Sequence, residues 1–298
     1  MTGAQHERVV IVGGGPAGLS AAVQLRREGL DPLLLEAGRP GGLLRNADRV
    51  ENYLGFPDGI PGSELADLFL AQARRWGVRI LAAEAAAVVY HGGVFEIAAL
   101  PLSLTADYLV VASGTEAKLW TGPSFLGIDP ALIPAEVISI GDTRDLRIAI
   151  VGGGDAAFDY ALNLARANNV ILIHRGVRPA GLALLAARAA QNPGIQIWPE
   201  AEIQVLERTP EGCFRLRIRR SEKETQLEVD HVLAAVGRRP RLGFLEIPSA
   251  LQSELDEAGR FFLAGDAAGG RERQTAIAAG DGLRAAMRIT LRCRGEVK

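Results

Sequence analysis

Runs of apolar residues bounded by glycines divide the chain into predicted strands and helices. Residues 9–12 are continuously β-branched, as in a strand buried on both faces, and the chain turns on glycines directly after them. An amphipathic pattern over residues 19–25 predicts a helix. A second apolar strand, residues 33–35, ends at Glu36. Strand, turn, helix and strand in this order predict a βαβ unit with parallel strands.

The same arrangement occurs a second time. Residues 146–151 form another buried apolar run that is followed at once by a glycine-rich turn. Residues 158–165 continue as an amphipathic helix, and a strand at residues 170–173 ends at His174. The repeat predicts two units of one kind in a single chain, which is far more specific than either unit alone.

The remaining patterns complete an α/β fold of two doubly wound domains. Ser63, followed by Glu64 and an apolar helical pattern, predicts an N-capped helix. A last strand at residues 260–263 and a helix opening at residues 273–276 are expected to close the first domain, with the second domain inserted before them. Other strands are predicted at residues 79–81, 87–90, 94–97, 108–112, 195–197, 203–207, 214–218 and 227–229.

Composition excludes several classes of protein. A chain of 298 residues with 48% hydrophobic and 23% charged residues is an ordinary globular protein. Its net charge of −2 argues against nucleic acid or an anionic membrane as the main partner. We expect neither a signal peptide nor a membrane span, because residues 1–8 are polar and no apolar run approaches about 18 residues. Only Cys213 and Cys293 are present, which suggests a reducing cytoplasm and no metal site.

The first turn carries the spacing of a dinucleotide-binding fingerprint, with glycines at 13, 15 and 18. Gly13 permits the tight turn, Gly15 lets a pyrophosphate approach the backbone, and Gly18 lets helix and strand pack closely. The helix directs its unpaired N–H groups at the pyrophosphate. Glu36 stands where a carboxylate can accept hydrogen bonds from ribose hydroxyls. The alternative, a tight turn without a ligand, explains this context less well.

The second turn predicts a different nucleotide. Gly152 and Gly154 repeat the fingerprint, with Ala157 at the position where glycine or alanine fits. The strand after it ends in His174 and Arg175 instead of an acid, and a cation there accommodates a 2′-phosphate. One nucleotide can therefore be a bound flavin and the other a nicotinamide. The loops at residues 37–42 and 113–115 are expected near the first nucleotide.

These motifs together resemble the low-molecular-weight thioredoxin reductase family. The resemblance covers nearly the whole chain: VGGGPAG, EAGRPGG, VENYLGFPDGIPG, ASGT, VGGGDAAFDYAL, HRGVR, AAVGRRP, FFLAGD and RQTA. It implies two Rossmann-like domains, an FAD domain formed by residues 1–115 and 241–298 and an inserted NAD(P)H domain at residues 116–240. It further implies a cytoplasmic homodimer.

The resemblance also implies the site residues. Those for FAD are Gly13, Gly15, Pro16, Ala17, Gly18, Glu36, Ala37, Gly41, Gly42, Leu43, Asn52, Gly114, Gly265, Asp266, Arg273, Gln274, Thr275 and Ala276. Those for NADPH or NADH are Gly152, Gly154, Asp155, Ala156, His174, Arg175 and Arg178. No catalytic side chain and no metal ligand is expected, because the flavin carries the chemistry.

Two departures from the family change the expected reaction. The family has a C-x-x-C just before its second glycine strand, whereas residues 135–142 here contain no cysteine. The family's adjacent arginines are reduced to Arg175 followed by Gly176, which weakens the preference for NADPH over NADH. The motif GGGDAAFDYAL also resembles ferredoxin–NADP reductases on this scaffold, but the C-terminal extension of those enzymes is not expected here.

We therefore expect an FAD-dependent NAD(P)H oxidoreductase that passes electrons directly to an external acceptor. A ferredoxin, a flavodoxin or a disulfide could be that acceptor. The alternative is a flavin-binding redox sensor or partner module with little turnover. The second fingerprint and Arg175 favour the enzyme, since a sensor need not bind nicotinamide.

Overall fold

Two compact units make up the chain in the computed structural model, which describes residues 4–221 and 223–296. The first unit comprises the residues up to Arg45, Arg49–Glu116 and the residues from Arg239 onward. The second unit comprises Asn46–Asp48 and Ala117–Arg238. The mixed α/β architecture expected from the sequence is confirmed. The predicted domain boundaries remain a prediction.

A seven-stranded sheet forms the centre of the first unit. Its strands run in the order β3-β2-β1-β6-β5-β4, with β17 added beside β6. Strands β1, β2, β3 and β17 are parallel to their neighbours, whereas β4, β5 and β6 pair in antiparallel fashion. The strands are β1 (Gln5–Val12), β2 (Leu33–Glu36), β3 (Arg79–Ala82), β4 (Ala87–His91), β5 (Val94–Ala99), β6 (Leu102–Val111) and β17 (Phe261–Leu263).

Helices cover this sheet because its central strand is apolar on both faces. Val9 and Ile11 pack into one core cluster with the helices α1 (Pro16–Arg27) and α6 (Thr275–Cys293). Val10 and Val12 belong to the cluster on the other face. The unit also contains α2 (Gly62–Arg75) and α5 (Ser249–Glu257). Because both faces of this strand are buried, residues 9–12 include no polar residue.

The second unit contains two four-stranded sheets. A parallel sheet has the order β11-β10-β9-β15, and the other sheet has the order β14-β13-β12-β8. Its helices are α3 (Asp155–Leu164) and α4 (Ala183–Gln191). The strands are β8 (Ser124–Leu126), β9 (Arg147–Val151), β10 (Asn169–Ile173), β11 (Ile195–Trp198), β12 (Ala201–Arg208), β13 (Phe214–Arg220), β14 (Lys223–Val229) and β15 (His231–Ala234). Strands β7 (Thr115–Ala117) and β16 (Arg238–Pro240) pair separately, and the division between the units falls within them.

The predicted N-cap at Ser63 is wrong. Helix α2 begins at Gly62 with Pro61 in the N-cap position, and no side chain caps it. Pro61 has φ −54° and ψ 136°, so its ring already fixes the turn into the helix. Ser63 instead lies in the first turn of the helix and offers its backbone carbonyl to a neighbouring arginine.

Candidate functional site

The first glycine turn is shaped by backbone contacts that no side chain could share. Gly13 has φ +103°, and a Cβ on it would lie 2.3 Å from the carbonyl oxygen of Ala112 at the end of β6. A Cβ on Gly18 would lie 1.9 Å from the carbonyl oxygen of Gly13. Both glycines are therefore required by the fold itself, whether or not a ligand binds.

Gly15 differs from these two glycines, because nothing in the protein fills the space beside it. A Cβ there would meet no heavy atom within 4 Å, and φ −74° is a conformation that any residue adopts. Gly15 is the N-cap of α1, and no side-chain hydrogen bond caps this helix start. An open cradle in front of an uncapped helix start fits an anionic pyrophosphate.

Glu36 at the end of β2 organises the same turn. One carboxylate oxygen accepts the Gly14 N–H at 2.6 Å, and the other accepts the Gly38 N–H at 2.8 Å. Two ionised oxygens offer about four acceptor positions, so capacity for ribose hydroxyls remains. The spacing of the motif predicts the ribose contact, but it does not predict that Glu36 also accepts hydrogen bonds from the backbone of Gly14 and Gly38.

The glycine-rich loop after β2 lies against the first turn. Gly41 has φ +112° and donates its N–H to the Gly14 carbonyl at 2.8 Å. Gly42 has φ +57°, and a Cβ on it would lie 3.4 Å from the Gly15 Cα. The chain continues through Leu43 in a 3₁₀-helix, Gly42–Asn46. Ala37 is exposed at the start of the loop.

Residues from the far end of the chain complete the predicted FAD site. Asn52 donates from Nδ2 to the Gln274 Oε1 at 2.7 Å, which joins two predicted flavin residues that are 222 positions apart. A Cβ on Gly265 would lie 3.1 Å from the Cβ of Ala17. Asp266 lies in the 3₁₀-helix Gly265–Ala268, and Thr275 and Ala276 are the first residues of α6.

Arg273 provides a second test of whether the site suits a ligand. Its Nε atom is buried and donates to no group in the part of the chain that the structure describes. A buried guanidinium nitrogen without an acceptor is costly, so a ligand with acceptor atoms would satisfy it. The residues of the first unit therefore fit FAD. Gly114, with φ +66°, follows Ser113, whose Cα would lie 3.0 Å from a Cβ on Gly13, and the Gly114 carbonyl accepts the Arg241 N–H at 3.0 Å.

The second turn repeats the geometry of the first. Gly152 has φ +149°, and a Cβ on it would lie 2.4 Å from the carbonyl oxygen of Ala235, just past β15. Gly154 is the N-cap of α3, and its Cβ position is empty to 4 Å. Asp155 and Ala156 are the exposed first residues of that helix. The open position lies before an uncapped helix start here as well, which fits a second dinucleotide.

A basic loop is fixed to this second turn. The Gly153 carbonyl accepts the N–H groups of Ala180 at 2.8 Å and Gly181 at 3.0 Å. The carboxylate of Asp155 accepts the Leu182 N–H at 2.6 Å. The structure shows that Asp155 anchors this loop, and its contact with the nucleotide stays a prediction.

The loop presents two cations and a neutral histidine. Arg175 and Arg178 are exposed, and neither forms an ion pair within residues 4–221 and 223–296. His174 is buried, and burial lowers the pKa of its imidazole. Two free guanidinium groups beside an anion-binding turn suit a 2′-phosphate.

A partly buried carboxyl group on α3, that of Asp159, was not predicted from the sequence. Asp159 accepts the Asp48 N–H at 3.0 Å, and Arg166 lies 2.7 Å from the Asp48 carboxylate. Burial raises the pKa of Asp159 to about 6. The segment Asn46–Asp48 thus belongs to the second unit although its neighbours in sequence belong to the first. The pattern of the sequence held no signal for this long-range contact.

The two cysteines are free and lie in different units. Cys213 precedes β13, where partial burial and the Asp230 carboxylate raise the pKa of its thiol. Cys293 is the last residue of α6. No helix in the described part of the chain is long and apolar enough to cross a membrane. No group of three or more potential metal ligands occurs among the described residues.

Comparisons with known proteins identify the family. The family described as pyridine nucleotide-disulphide oxidoreductase matches residues 7–287. The thioredoxin reductase of Chlamydia trachomatis is 30% identical over 304 aligned residues, which cover 95% of this chain and 97% of that protein. The thioredoxin reductase of Mycolicibacterium smegmatis is 32% identical over 300 aligned residues, 94% of each chain.

Solved structures show the same fold. The thioredoxin reductase of T. acidophilum has a TM-score of 0.83 at 27% identity, covering 97% of this chain and 99% of that one. The Lactococcus lactis thioredoxin reductase has a TM-score of 0.83 at 24% identity, covering 98% and 100%. The chain therefore belongs to the thioredoxin reductase-like pyridine nucleotide-disulphide oxidoreductase family, which uses FAD and NADPH.

Proposed function

We propose that this protein oxidises NAD(P)H through FAD and passes the electrons directly to an external acceptor, without an internal dithiol. The observation that carries this proposal is the pair of glycine turns with empty Cβ positions at Gly15 and Gly154. The two cysteines, 80 residues apart in the sequence and in different units, support the absence of a dithiol relay.

Each unit is assigned one nucleotide. The first unit binds FAD, with the pyrophosphate at the start of α1, the ribose at Glu36 and the buried Arg273 Nε facing ligand acceptors. The open position at Gly15 and the orphaned Arg273 nitrogen support this assignment. The second unit binds NADPH or NADH at the start of α3, and the free guanidinium groups of Arg175 and Arg178 support a modest preference for NADPH.

The side chains bind and orient, and the cofactor reacts. FAD held by these residues would supply the redox chemistry between NAD(P)H and the acceptor. The Asn52–Gln274 hydrogen bond holds two polar groups in fixed positions where the flavin ring is assigned. No acid–base pair is assigned to the reaction, because hydride transfer requires none.

The acceptor is assigned by chemical class. A small electron-transfer protein of the ferredoxin or flavodoxin type, or a disulfide, is consistent with electrons that leave the flavin directly. The relatives are named thioredoxin reductases, so thioredoxin itself is the first protein disulfide to test. A redox sensor with little turnover is the second candidate, and its support is the missing C-x-x-C in the sequence.

The protein is further proposed to be a cytoplasmic homodimer. Four large apolar residues of α6 are at least 37% exposed, and they recur along the helix. Exposed apolar stripes of this kind commonly mark protein interfaces. The residues are Ile277, Leu283, Met287 and Leu291.

Anaerobic mixing with NADPH or NADH tests the proposal. We expect a yellow protein with one FAD per chain that bleaches on mixing and regains its colour when an acceptor is added. A colourless protein that cannot be reconstituted with FAD would contradict the cofactor assignment. A yellow protein that neither nucleotide bleaches would favour the sensor. A screen of ferredoxin, flavodoxin, thioredoxin and small disulfides then identifies the acceptor class.

A further inference from the structure

Arg45 is a buried cation in the first unit for which the proposed chemistry has no use. It lies in the 3₁₀-helix that follows the glycine-rich loop, and its side chain is only 3% exposed. A buried guanidinium is costly unless its donors are satisfied. Its three nitrogens donate to the Pro40 carbonyl at 2.6 Å, the Ser63 carbonyl at 3.4 Å and the Asp67 carboxylate at 2.7 Å.

These partners join two separate elements. Ser63 and Asp67 belong to the first turns of α2, whereas Pro40 lies within the loop that the sequence places beside the flavin. The next residue, Gly41, donates its N–H to the Gly14 carbonyl of the first glycine turn. A continuous path of hydrogen bonds therefore runs from α2 through Arg45 and the loop to the dinucleotide-binding turn.

Packing leaves the loop little freedom around Arg45. A Cβ on Gly41 would lie 2.6 Å from the Ala66 Cβ and 2.8 Å from the Arg45 Nε. Hydrogen bonding to Arg45 also lowers the pKa of the Asp67 carboxyl, which therefore stays ionised at neutral pH. The guanidinium thus fills the space between loop and helix and supplies the donors that both require.

We propose that Arg45 is a positioning residue that holds the Gly38–Gly42 loop in the conformation that retains FAD. This inference rests on the proposed function, since it assumes that the first unit binds FAD. Arg45 acts through Pro40 and Gly41 and is not assigned a contact with the cofactor. Its loss is expected to loosen the loop and to speed release of FAD.

Arg75 offers a control on the same helix. It lies in the last turn of α2 and is exposed, and among the described residues no hydrogen bond joins its side chain to the Gly38–Gly42 loop. We compare wild type, Arg45→Gln, Arg45→Lys and Arg75→Gln. For each, FAD dissociation is followed by the rise in flavin fluorescence, and urea unfolding of the FAD-free protein gives the stability without cofactor.

Arg45→Gln is expected to weaken FAD binding by about tenfold or more, because hydrogen bonds to a charged group are lost. Arg45→Lys keeps the charge but not the fork, so it should restore only part of the affinity. Arg75→Gln should release FAD at the wild-type rate. The decrease in FAD affinity should exceed any decrease in the stability of the FAD-free protein.

Three results would overturn the inference: unchanged FAD release in Arg45→Gln, full rescue by lysine, or a loss of affinity no larger than the loss of stability. If Arg45→Gln fails to fold, Asp67→Asn is measured in its place. We expect it to release FAD several-fold faster than wild type, and an unchanged rate of FAD release would overturn the proposal. A wild type that binds no FAD would contradict the proposed function itself, which is a separate outcome.

Discussion

A substitution at Gly15 separates cofactor binding from folding. The position beside it is empty and its backbone suits any residue, so Gly15→Leu should leave the stability of the FAD-free protein within about 0.5 kcal/mol. The new side chain would fill the cradle and exclude the pyrophosphate. We expect a folded, colourless protein, measured by circular dichroism and absorbance at the flavin wavelengths.

Gly18→Ala is the matched control within the same turn. Its Cβ would lie 1.9 Å from the Gly13 carbonyl oxygen, so the variant should lose about 3 kcal/mol or more of stability before any cofactor is added. A yellow Gly15→Leu protein with normal FAD content would contradict the assignment of the cradle.

The cations of the basic loop should set nicotinamide preference. Arg175→Ala and Arg178→Ala are each expected to raise the KM for NADPH by about tenfold, because a charge-assisted bond to a phosphate is lost. The KM for NADH should change by less than twofold. Steady-state kinetics with both nucleotides measures the difference. The exposed Arg217 of β13 provides a control, since its removal should alter neither KM.

Equal losses for NADPH and NADH would show that the arginines only support the loop. A variant with no loss at all would move the 2′-phosphate site away from this loop.

Residue-level prediction succeeded where local spacing determines geometry. The positive φ of Gly13 and Gly152 follows from the need to turn sharply after a buried strand. Arg45 escaped prediction because an arginine in an apolar stretch looks solvent-exposed until its partners are known. Those partners, Ser63 and Asp67, lie 18 and 22 residues away.

Among the elements, β1 and β3 are joined by an ion pair that should make stability depend on pH. The Glu7 side chain is 8% exposed and accepts hydrogen bonds from Arg79, which lower the pKa of its carboxyl below 4.5. A lowered pKa stabilises the folded state above about pH 4.5, and the contribution disappears as the pH falls through the folded-state value. Glu7→Gln should therefore cost about 2 kcal/mol at pH 7 and much less near pH 3.

Urea unfolding across this pH range tests the prediction. Glu116→Gln is the control, because its ion pair with Arg239 is exposed and should contribute less than about 1 kcal/mol. A cost for Glu7→Gln that does not shrink at low pH would mean that packing, and not the charge, is responsible.

Helix α3 carries a carboxyl group with the opposite sign of pH dependence. The pKa of Asp159 is raised to about 6, chiefly by burial; the hydrogen bond from the Asp48 N–H and the charge of Arg166 oppose the rise, and the charges of Asp48 and Asp155 add to it. The folded state therefore binds the proton more tightly, so stability should increase as the pH falls from about 7 toward 4. Asp159→Asn, which keeps an acceptor for the Asp48 N–H, should remove this trend and stabilise the protein at pH 8 by on the order of 2 kcal/mol.

Thermal unfolding at pH 5 and pH 8 measures the trend, with the exposed Asp142→Asn as a control. An Asp159→Asn protein that is less stable than wild type at pH 8 would show that the ionised carboxylate is needed by its neighbours.

The order of elements was easier to predict than their bounds. Strand β6 runs from Leu102 to Val111, whereas the sequence predicted a strand only from residue 108. Residues 102–106 of β6 pair antiparallel with β5, residues 104–111 pair parallel with β1, and residues 109–111 pair parallel with β17. Part of its length therefore depends on its partners and not on its own pattern. Helix α4 also went unpredicted, because its sequence, ALLAARAAQ, is alanine-rich and has few polar residues to mark an exposed face at helical spacing.

For the molecule as a whole, the decisive variant removes both thiols. Cys213→Ser/Cys293→Ser should keep NAD(P)H oxidation and acceptor reduction within about twofold of wild type, since the two cysteines lie in different units and neither is assigned a step. Activity on thioredoxin should be small before and after the change. Anaerobic steady-state assays with each acceptor measure this outcome.

Loss of turnover in the double variant would reveal a thiol relay and contradict direct transfer from the flavin. Each single variant then identifies the thiol concerned.

The internal repeat made it possible to predict two units of similar architecture. Which residues belong to which unit was harder to predict. The segment Asn46–Asp48 belongs to the second unit by contacts of Asn46 with Glu136 and Ile138. Three residues within a loop carry no compositional sign of such a change, so only the folded chain reveals it.

The contact between α1 and α6 also affects the order in which the two units can fold during synthesis. A Cβ on Gly282 would lie 1.9 Å from the Ala17 carbonyl oxygen, so the start of α1 is shaped by residues that are made after the whole inserted unit. On the ribosome, Ala117–Arg238 are complete while the first unit still lacks β17 and α6. The inserted unit can thus fold first, while the sheet of the first unit remains incomplete because β17 has not yet been made. The surroundings of the first turn are therefore complete only once α6 has been made.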